Sequence, residues 1–123
     1  MGANGLTIVG NALIVANLGD ASQGSENIEP ELVVSVDRAT KTITPFGSAD
    51  PSVVLDGVEP DGEGGVLFTD YSGGRLMHQA PGEAATEMAM LEIGAADLEF
   101  MADTGLIVVP LSPANTIFGL SSP

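Results

Sequence analysis

Apolar and polar positions along the chain fall into short runs separated by turn residues. The pattern is clearest from Val54 to Gln79, VLDGVEPDGEGGVLFTDYSGGRLMHQ. Val54 to Pro60 is β-rich and ends at the turn cluster Asp61-Gly62-Glu63-Gly64-Gly65. Val66 to Tyr71 is a second apolar run, Ser72-Gly73-Gly74 turns the chain again, and Arg75 to Gln79 is a third strand. Glycine suits such turns because it reaches positive φ without steric cost. Short strands joined by Gly-rich hairpins predict an antiparallel meander.

The same grammar extends to both sides. Asn4 to Val9 and Ala12 to Asn17 are β-branched runs joined by Gly10-Asn11, a good two-residue hairpin. Leu18 to Pro30 is polar, acidic and turn-rich, and reads as a long surface loop of the kind that is often functional. Glu31 to Asp37 and Lys41 to Phe46 are two further strands, the second marked as an edge by Pro45. After the central stretch, Ala84 to Leu91 supplies another strand, although Met88, Met90 and Leu91 also suit a short helix. Ala96 to Met101, Leu106 to Leu111 and Asn115 to Leu120 follow, and the last unit ends one strand short.

Three copies can be superposed. Their first strands begin Asn4-Gly5-Leu6, Asp56-Gly57-Val58 and Asp97-Leu98-Glu99, and their second strands are Ala12–Asn17, Val66–Tyr71 and Leu106–Leu111. A repeat of roughly 40 to 50 residues, each a four-stranded meander, predicts an all-β protein of β-propeller type. The expected fold is half a propeller, with blades over about residues 3–46, 53–91 and 95–120, the last incomplete. A small β-sandwich shares the spacing of short strands. In a meander the head of the first strand and the end of the second lie at the same end. Asn4, Asp56 and Asp97 are therefore expected on one face near the axis, ringed by Asn17, Asp20, Asp70 and Tyr71. Carboxylate, carboxamide and hydroxyl oxygens of this kind suit a hard cation such as Ca²⁺ or Mg²⁺.

Composition narrows the classes. The 123 residues are 44% hydrophobic, enough for the core of one small domain, with 16 Gly, 8 Pro and 4% aromatic residues, which favours turns over long helices. Acidic residues number 17 against 3 basic ones, giving a net charge of −14. That balance argues against nucleic acid and anionic membranes, both of which need clustered Lys and Arg. It fits a cation site, a salty habitat or solubility. There is no Cys, hence no disulfide or thiolate chemistry. No signal peptide, apolar membrane span or glycosylation sequon is legible, which leaves the compartment undetermined but points to a soluble chain.

The order Asn4-Gly5-Leu6, Asp56-Gly57, Asp61-Gly62-Glu63-Gly64-Gly65-Val66-Leu67 and Ser72-Gly73-Gly74-Arg75-Leu76 resembles the later half of the gluconolactonase/regucalcin (senescence marker protein) family of six-bladed propellers. The resemblance implies a single axial divalent cation: Ca²⁺ foremost, with Mg²⁺, Zn²⁺ or Mn²⁺ as alternatives. It places the family's metal-binding Asn on Asn4, and its metal-binding Asp, also the general base, on Asp56. The family's metal-binding Glu has no counterpart in this chain, and Asp97 matches a repeat position rather than a family ligand. The implied activity is metal-assisted hydrolysis of a lactone, ester or sugar-like substrate, with the cation polarising the carbonyl and Asp56 taking a proton from water. Asn17, Asp70 and Tyr71 are the substrate-binding candidates.

Other chemistries are less well supported. Gly62-Glu63-Gly64-Gly65 is a hairpin turn, since no phosphate-loop Lys-Ser/Thr follows it. His78 is the sole histidine and reads as a surface or packing residue, and no Ser stands in a nucleophile elbow. Half a ring exposes apolar faces that soluble monomers rarely show. The expectation is therefore self-association into a six-bladed ring, or a chain that is a piece of a longer protein. The alternative function is a non-catalytic binding or scaffold module.

Overall fold

The computed structural model describes residues 2–17, 32–48 and 53–121. Among the described residues there are eleven strands: β1 (Ala3–Val9), β2 (Ala12–Asn17), β3 (Leu32–Asp37), β4 (Ile43–Pro45), β5 (Leu55–Pro60), β6 (Val66–Asp70), β7 (Arg75–Gln79), β8 (Thr86–Met90), β9 (Glu99–Met101), β10 (Leu106–Leu111) and β11 (Thr116–Ser121). They form a first sheet in the order β1-β2-β3-β4, a second in the order β5-β6-β7-β8 and a third in the order β11-β10-β9. Every pairing is antiparallel between strands adjacent in sequence. The long acidic segment from Leu18 to Pro30, Asp20 included, lies outside the described residues.

The propeller expectation is corrected here. The chain forms three separate antiparallel sheets of four, four and three strands, none closed on itself. Runs of five to seven residues and their hairpin turns dictate which strands pair. They carry no information on whether successive sheets close around an axis, and that step of the sequence reading does not hold. Ala84 to Leu91, which also suits a helix, forms the strand β8. Expected as a strand, Ala96 to Met101 shortens to Glu99–Met101. Its leading residues bond elsewhere: Ala95 bridges Leu111, and Ala96 N–H donates to Pro110 O. Among the described residues, no helix is long and apolar enough to cross a membrane.

The second sheet lies between the other two. β6 is buried along its whole length, and its successive side chains face opposite sides. Val66 and Phe68 pack with Ile14, Ala16, Val33 and Phe46 of the first sheet side, while Leu67 joins Ile107, Val109 and Leu111 of the third. Burial on both faces explains why VLFTD reads as a continuous apolar run instead of an alternating one.

Two glycines set how closely the sheets approach at their first strands. A Cβ on Gly5 would stand 2.4 Å from Asp56 O, and one on Gly57 would stand 2.7 Å from Leu98 Cδ2 and 2.8 Å from Asp97 Cα. Thr69, fully buried, fastens the same junction. Its hydroxyl accepts from Gly57 N–H at 2.9 Å and donates to Ala96 O. A buried hydroxyl satisfied in both roles is stabilising, whereas one left unpaired costs about 1–3 kcal/mol.

Gly57→Ala is expected to cost about 1–3 kcal/mol through overpacking. Gly119→Ala, whose Cβ would meet nothing nearer than 3.8 Å, should change stability by less than about 0.5 kcal/mol. Urea unfolding of the two variants checks this, and equal stabilities would refute the close-approach argument.

Candidate functional site

The approach of the first strands produces a cleft of about 250 Å³ lined by Asn4, Gly5, Leu6, Asp56, Val58, Glu59 and Asp97. Each sheet region contributes a polar group. Asn4 comes from the head of β1, Asp56 and Glu59 from β5, and Asp97 from the segment leading into β9. The Asn4 amide donates to Leu55 O at 3.3 Å and hydrogen-bonds the Asp56 carboxylate. Asp97 turns one oxygen back to accept from Leu98 N–H at 2.9 Å.

The electrostatics follow from crowding like charges. Partial burial raises the Asp56 pKa above its ordinary value, the Asp97 charge raises it further, and the Asn4 hydrogen bond offsets part of the rise. Glu59 is raised in the same sense, by burial first and then by Glu99 and Asp97. The cleft is thus a place where negative charge is held against its preference.

The candidates named from sequence separate into two groups. Asn4, Asp56 and Asp97 meet in this one cleft. Asn17, Asp70 and Tyr71 do not line it. Asn17 is 2% exposed, and its Oδ1 has no hydrogen-bond partner among the described residues. Asp70, 0% exposed, is a structural tie. Its Oδ1 accepts from Val54 N–H at 2.9 Å and Gly73 N–H at 3.0 Å, and its Oδ2 pairs with Arg75 at 2.6 Å. Tyr71 is half-buried and donates its backbone N–H to Val54 O at 2.8 Å. Glu59 is the lining residue that sequence reasoning missed. It stands three positions after Asp56, and nothing in the repeat pattern singled it out.

The lone histidine sits elsewhere. His78 on β7 pairs with Asp61 at 2.8 Å, and Asp61 also accepts from Glu63 N–H and Gly65 N–H in the β5–β6 turn. Burial works to raise the Asp61 pKa, but these hydrogen bonds outweigh it and the net shift is downward. The pair borders a second cleft, of about 300 Å³, with Leu67, Met88 and Phe100. Asp56 therefore has no histidine partner.

Among the described residues, no group of three or more His, Cys, Asp or Glu is arranged to hold a metal ion. No family model, curated protein or solved structure matches the chain. The gluconolactonase/regucalcin resemblance is corrected accordingly, and with it the metal-dependent hydrolase reading. Motifs such as Asp-Gly and Ser-Gly-Gly are what any Gly-turned meander contains, so their order over a short chain did not identify a family.

The raised Asp56 has a stability consequence. A carboxyl whose folded pKa is raised favours folding fully below its unfolded value of about 3.8, and that contribution is lost as pH rises through the folded value. At pH 7 the Asp56 charge therefore opposes folding. Asp56→Asn is expected to be more stable than the parent at pH 7, by at most about 1 kcal/mol because the group is open to solvent. The gain should vanish at pH 3. Urea midpoints at the two pH values decide, and an equal effect at both would contradict the electrostatic account.

Proposed function

We propose that the chain is a non-catalytic binding module whose acidic cleft receives a cationic group, such as a lysine ammonium, from its partner. The observation that supports this reading is the convergence of Asn4, Asp56, Glu59 and Asp97 on one small cleft, with Asp56 and Glu59 held above their ordinary pKa values. A cation entering there relieves the repulsion between carboxylates and gains charge-assisted hydrogen bonds. An ammonium needs two or three acceptors on one side and none of the convergent coordination of a metal cage. The cleft has three carboxylates but lacks the paired nucleophile and base of a hydrolytic centre. The net charge of −14 adds long-range attraction for a basic partner.

The test is a ¹H–¹⁵N NMR titration of the intact chain with Nα-acetyl-lysine amide, using Nα-acetyl-norleucine amide as the neutral control. Binding is expected with a Kd on the order of 1 mM, with shifts at Asn4, Gly5, Asp56, Gly57, Glu59 and Asp97 that vanish in the Asp56→Asn/Asp97→Asn double variant. Equal responses to the two probes, or shifts spread over the whole acidic surface, would overturn the reading. Parallel titrations with Ca²⁺ and Mg²⁺ test the divalent-cation expectation, for which the described residues offer no group arranged to hold a metal ion.

A further inference from the structure

The second cleft, apart from the acidic one, is built where the second and third sheets meet. Leu67, His78 and Thr86 stand directly opposite one another across β6, β7 and β8, so they share one face of the second sheet. Leu67 belongs to the core shared with the third sheet, which makes this the face turned toward β9 and β10. Phe100 of β9 lines the other side, and the space between them is about 300 Å³.

A break in strand register aims a further side chain into it. Leu76 pairs with Ala89 and Met77 with Glu87, so Met88 is an extra residue on β8. Strict alternation places neighbouring residues on opposite faces. Here Met88 and Ala89 both pack against the core shared with the third sheet, and Met88 reaches the cleft. Bulges that redirect a side chain in this way are concentrated beside functional sites. The apolar wall is therefore Leu67, Met88 and Phe100.

The polar wall is a histidine held in one orientation. Asp61 Oδ1 accepts from Glu63 N–H at 2.7 Å and Gly65 N–H at 2.9 Å, which leaves Oδ2 for His78 Nε2 at 2.8 Å. Gly65 gives the pair its room, since a Cβ there would stand 3.1 Å from His78 Nε2 and overlap the Asp61 carboxylate. A carboxylate only accepts, so Nε2 carries the hydrogen and the neutral ring presents Nδ1 as an acceptor. Nδ1 has no hydrogen-bond partner among the described residues. One fixed acceptor thus stands beside three apolar side chains, one of them aromatic and one a thioether.

Charge narrows what fits. Both Asp61 oxygens are committed, and an ammonium loses hydration against the apolar wall. Exposed Glu63 and the net charge of −14 repel anions. A neutral hydrogen-bond donor on an aromatic ring meets neither obstacle.

We propose that this cleft binds a small neutral phenol, whose O–H donates to His78 Nδ1 while its ring packs on Met88 and Phe100. The volume lies at the low end of ligand sites, which run from about 300 to 1,000 Å³, and suits a single ring. The inference is independent of the cationic-group reading, because the two clefts share no lining residue.

A ¹H–¹³C NMR titration of the intact chain with p-cresol tests it, at about pH 8, where free imidazole and phenol are both neutral. The control is 4-methylanisole, which keeps the ring and lacks the donor. p-Cresol is expected to shift the Leu67 and Met88 methyl signals and the His78 and Phe100 ring signals. It should bind about tenfold more tightly than 4-methylanisole, the factor one hydrogen bond supplies. His78→Leu should remove that preference. Asp61→Asn lets a side-chain amide donate to Nε2, which moves the ring hydrogen to Nδ1, and should narrow the preference. Circular dichroism confirms that each variant is folded, and the comparison of the two probes in the parent holds even where a variant is not. Equal affinity for the two probes, shifts outside the cleft, or an unchanged preference in folded His78→Leu would overturn the proposal. Tighter binding of Nα-acetyl-tyrosine amide than of p-cresol would also overturn it, since that marks a partner's tyrosine instead of a small molecule.

Discussion

The close passage of the first strands, made possible by hydrogen in place of a side chain at Gly5 and Gly57, governs the rest of the molecule. Any Cβ at these positions meets backbone atoms of the neighbouring sheet within 3 Å. With both glycines in place, β1, β5 and the segment before β9 lie side by side. The sheets behind them then meet through two apolar cores. Thr69 holds the junction through one hydroxyl that serves both as acceptor and as donor. A steric allowance at two positions thereby determines where three sheets can sit.

That geometry gives different acidic residues opposite duties. Asp70 is fully enclosed, yet its carboxylate meets two backbone N–H groups and the Arg75 guanidinium, so its charge is compensated and it organises the turn after β6. Asp61 does similar work in the β5–β6 turn with His78. At the cleft the carboxylates of Asp56, Glu59 and Asp97 share one small space, with the Asn4 amide beside Asp56 and the Leu98 N–H on Asp97 to offset them. Compensated acids build the fold, and the uncompensated ones define the surface most ready to accept a positive charge.

Much of the local structure was legible in the sequence. Gly10-Asn11, Asp61 to Gly65 and Ser72-Gly73-Gly74 turn the chain where expected, because positive φ or Asx chemistry leaves few alternatives. The meander order follows from those turns. The global step was not legible. Neither closure of sheets into a ring nor membership of a family is encoded in strand length and turn type. The failed propeller assignment shows how far local regularity can be overextended. At the site, the polar residues heading the first strands were visible from spacing, and the structure brings Asn4, Asp56 and Asp97 to one cleft. Glu59 was hidden because its place there depends on the irregular register between Leu55 and Val58. Asp70 and Asn17, read from their end-of-strand positions, are buried by packing that no pattern of the second strands disclosed.

The account stands on Asp56 and Asp97 sharing one electrostatic environment across two sheets. A carbon-detected NMR titration of the Asp56 carboxyl, in the intact chain and in Asp97→Asn, measures this directly. The account predicts a pKa above the ordinary 3.8 in the parent and a fall toward that value once the Asp97 charge is removed. An Asp56 carboxyl that titrates identically in the two proteins would contradict it.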